Sequence, residues 1–562
     1  LDRGESLEDR FTVEAVDGST RLVTIRIDGA EDAPLIAGDA TGVVAKGRWT
    51  TVEGALSIID VDSKDNPIGF DDVPATPGSA GLGRFGLRRG TWTYSLDPEA
   101  PALDSLGTGE SLLDSYVFEA SDGSRFEVVV SVYSAASPNF VVLMADDLGY
   151  ADVGFNGSRD IPTPNIDSIA ANGIRFVQGT SSHSYCSPTR AGFLTGRYQH
   201  RFGHVFNPKY APDDPLYGLP LDEVFLSDVL TGAGYVNGLI GKWHLGAAPQ
   251  FHPNERGFQE FFGFLGGGHN YFGSADLGTP YTVPLMRNQT PLEEHPGYLT
   301  EAFSAEAVSF IERHAVVPFF LFVSYNAPHE PLQAPAEYER RYEHIEDPRR
   351  RTYAAMVSAL DDGVGEVLAA LRDSDLLEST LVVFLGDNGG VTANGAMNGF
   401  RGKKSTLYEG GIRVPFAMQW TGTLPAGVRY EHQISSIDVF PTIAAAAGAP
   451  MPDDRTYDGV DLLPFLQTPG GKVPHEQLFW RHFEADSDSY AVRDGRLKLI
   501  SQPTGEIALY DLVSDPAESR NLADAKPAEV RRLQDAYALW NSEMTAPAAF
   551  PPKKRSSSNE RS

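Results

Sequence analysis

The chain has 562 residues, which is too long for one ordinary hydrophobic core and suggests roughly three or four domains or subdomains. Hydrophobic residues make up 41% of it and charged residues 22%, so the composition is that of a folded globular protein and not of a disordered one. The formal net charge of -30 opposes binding to nucleic acid, and no apolar run is long enough for insertion into a membrane. An anionic ligand would therefore need a locally basic pocket.

The first part of the chain, residues 1–136, has the pattern of a β-structured module. Short β-type runs alternate with Asp-Gly and Asn-Pro turns, and helical periodicity is almost absent. A segment that begins Gly4-Glu-Ser-Leu recurs from Gly109 onward, so the module contains an internal repeat. The repeat resembles the VCBS repeats of bacterial secreted and surface proteins. We predict that residues 1–33 end one repeat and that residues 34–136 form the next as a β-sandwich.

Two acidic residues of the second repeat, Asp60 and Asp62, lie in a strand–turn context. Their carboxylates are candidate Ca²⁺ ligands, but no tight ligand loop surrounds them. We therefore expect a structural spacer, with carbohydrate binding as the alternative role of the module.

From Ser137 onward, apolar strands alternate with amphipathic helical stretches, which predicts a mainly parallel sheet covered by helices on both faces. The predicted strands are 140–144, 235–240, 319–324, 381–385 and 415–419. Four of them run directly into polar clusters, and ligands of open α/β sheets bind beyond the carboxyl ends of the strands. We expect these clusters to meet in one crevice of a catalytic domain that spans residues 137–425.

A smaller α+β subdomain is predicted over residues 426–545, with strands at 490–492 and 497–500 and a helix near 528–544. Residues 546–562 are rich in Pro, Ser and basic residues, and we expect a disordered tail there. The predicted fold class is α/β: a large mixed, mainly parallel sheet sandwiched by helices, with this smaller C-terminal subdomain, preceded by an all-β sandwich module.

Adjacent carboxylates at the end of the first predicted strand, Asp146 and Asp147, would repel each other unless a cation lies between them. Asp387 and Asn388 follow another strand and add carboxylate and amide oxygens. Oxygen donors of this kind favour Ca²⁺ or Mg²⁺, whereas no Cys or His cluster has the spacing of a zinc site.

The only cysteine, Cys186, lies just before Pro188, a residue well placed in the first turn of a helix. A lone cysteine is ordinarily a small buried hydrophobe. At a helix N-terminus, however, free backbone N–H groups favour an anion or a charged nucleophile, so a reactive thiolate is the first functional alternative.

The run Cys186-Ser-Pro-Thr-Arg190 with Leu194-Thr-Gly196 resembles the Cys-x-Pro-x-Arg signature of type I sulfatases, in the alkaline phosphatase superfamily. In that family the cysteine is oxidised to formylglycine, also called 3-oxoalanine. Further family markers follow in order: Asp146-Asp147-Leu-Gly149, Gly241-Lys-Trp-His-Leu-Gly246, Ala327-Pro-His329, Gly386-Asp-Asn-Gly389 and Arg401-Gly-Lys-Lys404. The resemblance covers about residues 138–524 and implies an alkaline phosphatase-like fold.

The resemblance implies a Ca²⁺ site whose protein ligands are Asp146, Asp147, Asp387 and Asn388. An oxygen of the modified Cys186 would complete this site, while Arg190 and Lys242 would hold the formylglycine hydrate. The side chains implied to face the sulfate and its bridging oxygen are His244, His329 and Lys404. A sulfate ester is anionic, so the cation and the basic side chains would neutralise charge in the transition state.

The mechanism implied by the resemblance starts with attack of one hydrate hydroxyl on sulfur. His329, with Lys404, would protonate the departing sugar oxygen, and His244 would take the proton of the second hydroxyl to expel sulfate. A plain Cys or Ser lacks that geminal hydroxyl, so Cys186→Ser should trap or abolish turnover.

Two segments beside these motifs offer hydrogen-bond donors and aromatic side chains of the kind that bind sugars, with loop packing as the alternative explanation of each. The candidate substrate-binding residues are Arg197, His200, His269, Asn270 and Tyr271. The run of motifs resembles bacterial enzymes that act on glycosaminoglycan or algal polysaccharide sulfates. We predict a sulfated carbohydrate substrate, a secreted, periplasmic or cell-surface location in a bacterium, and a formylglycine-generating or anaerobic maturation enzyme as partner.

Three other functions stay open at this point. A phosphate or phosphonate monoester hydrolase of the same superfamily would share the metal-binding carboxylates. A cysteine hydrolase would keep Cys186 as a thiol. A non-catalytic carbohydrate-binding or adhesion protein would bind polymer without releasing sulfate.

Overall fold

The computed structural model describes residues 4–29, 34–46, 50–59, 69–106, 111–133, 137–273, 281–391, 399–467, 472–484 and 487–547. The chain divides into two compact units, Leu1–Ser137 and Pro138–Ser562. No helix of the described ranges is long and apolar enough to span a bilayer. The candidate ligands Asp60 and Asp62 and all but the first two residues of the predicted tail lie outside the described residues.

The first unit consists of β-strands, as the alternating sequence pattern predicts. Its strands are β1 Ser6–Glu14, β2 Thr20–Asp28, β3 Leu35–Gly38, β4 Thr41–Ala45, β5 Thr51–Ile59, β6 Val73–Pro77, β7 Gly83–Arg88, β8 Thr91–Leu96, β9 Ser111–Glu119 and β10 Arg125–Tyr133. They form a two-stranded sheet β1-β2, a three-stranded sheet β4-β10-β9 and a five-stranded sheet β3-β5-β8-β7-β6. Trp92, Tyr94 and Phe85 are fully buried in the core of this unit.

The two copies of the repeat adopt the same hairpin. Ser6 pairs with Asp28 in the first copy, and the equivalent Ser111 pairs with Tyr133 in the second. In the hairpin β9–β10, Val130 is fully buried. The equivalent residue of β1–β2, Ile25, is 46% exposed. The copies therefore share strand pairing and differ in what covers them, while the resemblance to VCBS repeats stays a prediction.

The second unit is built on a sheet of ten strands in the order β17-β16-β15-β14-β18-β11-β19-β20-β12-β21. The strands of this unit are β11 Asn139–Ala145, β12 Ile174–Phe176, β13 Gly179–Thr180, β14 Val236–Lys242, β15 Glu260–Phe264, β16 Leu285–Arg287, β17 Thr290–Pro291, β18 Phe319–Ser324, β19 Thr380–Gly386, β20 Phe416–Gln419, β21 Val428–Tyr430, β22 Ile434–Ser435, β23 Gln477–Glu484, β24 Ser487–Asp494, β25 Leu497–Ser501 and β26 Ile507–Asp511. Five neighbouring strands of this sheet, β15-β14-β18-β11-β19, are parallel to one another. Their near-continuous apolar sequences are typical of strands buried on both faces.

Longer helices of the second unit, such as Leu299–Arg313, carry an apolar stripe on one side, which explains why they lie against the sheet and against each other. The helices are α1 Pro164–Ala171, α2 Cys186–Thr195, α3 Leu226–Gly232, α4 Leu299–Arg313, α5 Ala336–Arg340, α6 Pro348–Asp373, α7 Glu409–Ile412, α8 Val439–Ala447, α9 Leu463–Gln467 and α10 Pro527–Ser542. The predicted mixed α/β fold is confirmed, including its five core strands.

One of those five strands runs in the opposite direction to its neighbour, because β20 is antiparallel to β19. An antiparallel pair needs no connection that crosses back over a face of the sheet, whereas a parallel pair does. The described parts of the connection include Asp387, directly after β19, and the short helix α7, shortly before β20.

The C-terminal part has a four-stranded antiparallel sheet, β23-β24-β25-β26, followed by helix α10. A buried ion cluster joins it to helix α7: Lys498 Nζ lies 2.8 Å from Glu409 Oε1 and 2.9 Å from Glu518 Oε1. Glu518 Oε2 also accepts a hydrogen bond of 2.7 Å from the Glu409 backbone N–H. The smaller subdomain thus fixes the start of α7, which directly follows the Lys404 loop.

A second ion pair in this region, between His475 and Asp438, makes stability depend on pH. His475 Nε2 lies 2.7 Å from Asp438 Oδ1. Burial disfavours the imidazolium, but the Asp438 carboxylate outweighs it and raises the pKa of His475 above its ordinary value. A raised folded-state pKa stabilises the fold below the unfolded pKa of about 6.5, and this contribution is lost as pH rises through the folded pKa.

We therefore expect His475→Gln to lower the free energy of unfolding by about 1–2 kcal/mol near pH 5.5 and by less near pH 9. Urea denaturation at both pH values measures the difference, with the exposed His432→Gln as control. An equal loss at both pH values would show that the charge of His475 contributes nothing.

Candidate functional site

The polar clusters that follow the parallel strands lie together, as expected for the carboxyl ends of neighbouring strands. Metal-ligating atoms of Asp146, Asp147, Cys186 and His329 all lie within 4.8 Å of one another. Asp146 and Asp147 follow β11, and His329 follows the loop after β18. All three follow the two central strands of the sheet, which are completely buried.

Cys186 is the first residue of helix α2 and is 1% exposed. Its Sγ lies 3.6 Å from Asp146 Oδ1 and 3.1 Å from Lys404 Nζ. Burial raises the pKa of the Cys186 thiol to about 12, despite the opposing positive charges of Lys242 and Lys404. An unmodified Cys186 is therefore a neutral thiol near pH 7, and a neutral thiol is a poor nucleophile.

Arg190 lies one turn after Cys186 on helix α2 and is also buried. Its guanidinium contacts Asp387 Oδ2 at 3.1 Å and the Lys242 carbonyl at 3.2 Å, and it donates a hydrogen bond to Ser324 Oγ. Ser324 was missed by sequence reasoning. A serine that ends an otherwise apolar strand immediately before a polar cluster is the signal that was available.

Two lysines neutralise the paired carboxylates. Lys242 Nζ lies 2.5 Å from Asp146 Oδ2, and Lys404 Nζ lies 2.6 Å from Asp147 Oδ1. Burial opposes the charge of Lys404, but the Asp147 carboxylate raises its pKa well above the ordinary value. For Asp387, burial and the neighbouring Asp146 charge raise the pKa to about 6, while the Arg190 guanidinium opposes this shift.

Asp147 and His244 adopt backbone conformations that L-residues rarely use, with φ of 64° and 66°. The Asp147 N–H donates to Asp387 Oδ1 at 3.2 Å, and the Asn388 amide donates to Asp147 Oδ1 at 2.7 Å. The His244 carbonyl accepts a hydrogen bond of 2.7 Å from Ser187 Oγ. Strain of this kind persists only where surrounding contacts over-determine the backbone.

Ser187 connects the first turn of helix α2 to His244. Besides bonding the His244 carbonyl, its hydroxyl lies 2.7 Å from His204 Nε2, and its N–H donates to Asn207 Oδ1 at 3.0 Å. Neither Ser187 nor His204 was predicted, since nothing in a sequence reveals a contact between residues so far apart in the chain.

The two site histidines differ in their environment. His329 Nδ1 lies 2.6 Å from the Glu330 carbonyl, and its Nε2 lies 3.6 Å from Asp147 Oδ2. His244 Nδ1 is buried and has no hydrogen-bond partner among the described residues. Burial, with nearby lysines, lowers the pKa of His329 to about 4 and that of His244 well below its ordinary value.

The donor set fits a hard divalent cation. Asn388 Oδ1 is buried and has no hydrogen-bond partner within the described ranges, so its lone pairs are available to a metal. The Nδ2 of the same amide donates to Asp147 Oδ1, and the Asp147 N–H donates to Asp387 Oδ1, so hydrogen bonds link Asn388 to both carboxylates. Three carboxylates and one amide oxygen are the ligands that Ca²⁺ and Mg²⁺ prefer.

The predicted substrate-binding residues all contact other parts of the protein. Arg197 pairs with Glu223 at 2.7 Å, and His200 Nε2 lies 2.8 Å from the Arg481 carbonyl. His269 Nε2 lies 2.8 Å from the Val283 carbonyl. These contacts give Arg197, His200 and His269 structural partners, and binding of substrate by them stays a prediction.

The other two members of that set also hold loops together. Both the backbone N–H and the Nδ2 of Asn270 donate to the Tyr281 carbonyl, at 3.0 and 2.9 Å. The Tyr271 hydroxyl lies 2.7 Å from the Asn326 carbonyl and 2.9 Å from the His329 carbonyl. Tyr271 therefore fixes the backbone of a site histidine, and its direct contact with substrate likewise stays a prediction.

Comparison with known proteins identifies the family. Residues 138–449 match the family described as Sulfatase, and residues 399–538 match the C-terminal region of N-sulphoglucosamine sulphohydrolase. N-acetylgalactosamine-6-sulfatase of Canis lupus familiaris is 37% identical over 392 residues, which cover 64% of this chain and 73% of that protein. Arylsulfatase A of Homo sapiens is 34% identical over 474 residues, which cover 75% of this chain and 90% of that protein.

Solved structures agree with these sequence relatives. Ps i-CgsB in complex with k-i-k-neocarrahexaose has a TM-score of 0.70 and 36% identity, over 74% of this chain and 95% of that chain. The PsFucS1 sulfatase from Pseudoalteromonas sp. has a TM-score of 0.63 and 25% identity, over 72% of this chain and 90% of that chain. The chain therefore belongs to the sulfatase family, and it is an enzyme that hydrolyses sulfate esters.

Proposed function

We propose that this sulfatase removes sulfate from a sulfated polysaccharide or its oligosaccharides, with Ca²⁺ and a formylglycine made from Cys186. The observation that carries the proposal is the convergence of Cys186, Asp146, Asp147 and His329 within 4.8 Å, at the edge of the sheet. Relatives named for N-acetylgalactosamine 6-sulfate and a neighbour crystallised with a neocarrahexaose support a carbohydrate ester.

Calcium is supported by the hardness of the donor set and by its negative charge. Asp146, Asp147, Asp387 and Asn388 would hold the ion through oxygen atoms, as Ca²⁺ requires. The unpartnered Oδ1 of Asn388 supports a direct role for that residue. When bound, a divalent cation supplies positive charge against the anionic ester and the nucleophile.

Conversion of Cys186 is supported by the poor reactivity of the unmodified side chain, whose pKa is raised to about 12 by burial. Its position at the first turn of α2 allows backbone N–H groups and the adjacent Lys404 to stabilise an anionic oxygen. The aldehyde hydrate would supply an oxygen nucleophile with a second hydroxyl. The maturation enzyme that produces it is part of this proposal.

The basic side chains then have separate tasks. Arg190 is held by Asp387 and Ser324, so its guanidinium faces the modified residue in a fixed orientation. The side chains of Lys242 and Lys404, which pair with Asp146 and Asp147, would offset the charge of the ester in the transition state. His329 is neutral by itself, but an arriving sulfate anion favours its protonated form, and it can then donate that proton to the leaving oxygen.

His244 offers an unprotonated ring nitrogen to the departing proton, because burial holds its pKa well below the ordinary value and keeps the ring neutral. Its backbone is fixed by Ser187, and its Nε2 faces Gly267. The absence of a side chain at Gly267 is therefore part of the site. The enzyme would act outside the cytoplasm of a bacterium, where polymeric sulfated substrates are found.

Maturation and turnover can be tested together. Mass spectrometry of the Cys186 peptide from active enzyme should show exchange of one sulfur and two hydrogens for one oxygen. Sulfate release from sulfated galactosamine and carrageenan oligosaccharides should accompany this exchange. Cys186→Ser should lose multiple turnover with an unchanged melting temperature. Full activity of a preparation whose Cys186 is entirely thiol would contradict the proposal.

The metal can be tested by stability as well as by activity. Adding Ca²⁺ at 100 times its Kd to chelator-treated protein should stabilise the fold by about 2.7 kcal/mol. Asp387→Asn should remove most of this gain, because it deletes one ligand charge. Asp373 is exposed, so Asp373→Asn is the control and should keep the full stabilisation by Ca²⁺. An Asp387→Asn protein that gains as much from Ca²⁺ as the wild type would exclude this ligand.

Adding one methyl group at Gly267, by substitution with alanine, tests the role of this glycine. A Cβ there would lie 2.6 Å from His244 Nε2, so Gly267→Ala must displace the imidazole. We expect kcat to fall by about 10- to 100-fold with little change in melting temperature. Gly232→Ala is the matched control, since a Cβ at that position meets nothing within 4 Å. Equal activities of the two variants would remove His244 from the mechanism.

A further inference from the structure

Tyr281 is a half-buried tyrosine that borders the site and that sequence reasoning did not select. An ideal Cβ at Gly268 would lie 2.9 Å from Tyr281 Cε1 and 3.5 Å from His329 Cε1. The tyrosine and histidine rings therefore flank the same glycine. A side chain larger than hydrogen at Gly268 would push against the Tyr281 ring.

The backbone of Tyr281 is held by the same segment that holds His329. Two hydrogen bonds from Asn270, of 3.0 and 2.9 Å, end on the Tyr281 carbonyl. The neighbouring Tyr271 hydroxyl lies 2.9 Å from the His329 carbonyl. Residues Gly268 to Tyr271 thus fix the spacing between the Tyr281 and His329 rings. A loop tyrosine without such bonds would not be held at a fixed distance from the histidine.

The hydroxyl of Tyr281 is available to a ligand. It makes no hydrogen bond to the part of the chain that the structure describes, and the side chain is partly exposed. Burial and then the charge of Glu330 raise the pKa of this phenol, so it stays neutral and can donate. An aromatic face with a free hydroxyl at its end is the combination that binds sugars, because it offers both apolar contact and a hydrogen bond.

We propose that Tyr281 binds the sugar ring that bears the reacting sulfate ester, and that Asn270 is a positioning residue for Tyr281. The sugar oxygen that receives a proton from His329 must lie at that histidine. The ring bonded to this oxygen then lies within reach of the adjacent tyrosine. This inference rests on the proposed carbohydrate substrate and identifies one residue that distinguishes sugar esters from other sulfate esters.

The test compares two substrates in wild type and Tyr281→Phe: a sulfated neocarrahexaose or N-acetylgalactosamine 6-sulfate, whichever the wild type hydrolyses faster, and 4-nitrophenyl sulfate. The variant loses only the hydroxyl, and the aryl ester has no sugar hydroxyl to bond. We expect kcat/KM for the sugar ester to fall by about tenfold, the cost of one hydrogen bond, and that for the aryl ester to stay within about twofold.

Tyr210→Phe is the matched control, since Tyr210 is also half buried but borders none of the site residues. Asn270→Ala should reproduce the selective loss on the sugar ester with an unchanged melting temperature, whereas a general structural defect would lower both activities. Equal values of kcat/KM for wild type and Tyr281→Phe on the sugar ester would overturn the role of Tyr281 alone. A wild type that hydrolyses the aryl ester and neither sugar ester would overturn the carbohydrate substrate, and this proposal with it.

Discussion

Mutual neutralisation of buried charges at the carboxyl edge of the large sheet is the constraint on which the rest of this structure depends. Asp146, Asp147 and Asp387 are buried, and each is matched by one of three cations, Lys242, Lys404 and Arg190. Leaving any one of these charges unpaired inside the protein would cost about 3–5 kcal/mol. Such a balance holds the side chains in place, and it is readily shifted by an arriving cation or sulfate.

The surrounding fold keeps this cluster from collapsing. Parallel strands deliver the acidic residues at fixed spacing, and helix α2 delivers Cys186 and Arg190 on one face. The C-terminal subdomain completes the frame, because its Lys498 and Glu518 fix Glu409 at the start of α7. Lys404, which lies in the loop before α7, is therefore positioned by residues more than ninety positions further along the chain.

The core strands, and the residues that gather at their ends, could be predicted from the sequence. Apolar runs such as Phe319–Ser324 are recognisable because strands buried on both faces leave no polar positions. The direction of each strand was not recognisable in the sequence, and β20 is antiparallel to β19. Ser187, Ser324 and Tyr281 were missed for a different reason: their importance comes from partners distant in the chain, which single-residue patterns do not encode.

Partners distant in the chain also explain why the structure gives the predicted substrate-binding residues contacts that the sequence did not reveal. Arg197 and His200 look like free donors in the sequence, yet Glu223 and the Arg481 carbonyl occupy them in the fold. Sequence motifs identify residues that gather at the strand ends, since the proposed chemistry restricts residue types. Residues that recognise the rest of the substrate are less restricted, and only their placement reveals them.

The first hairpin of the chain carries a final consequence. Leu7 and Phe11 on β1 are 56% and 47% exposed, on the face that the second copy of the repeat keeps in its core. A two-stranded ribbon with an exposed apolar face can pack against other β-structure. The apolar face of this ribbon therefore corresponds to a core face of the second copy, and it is suited to being covered by other β-structure rather than by solvent.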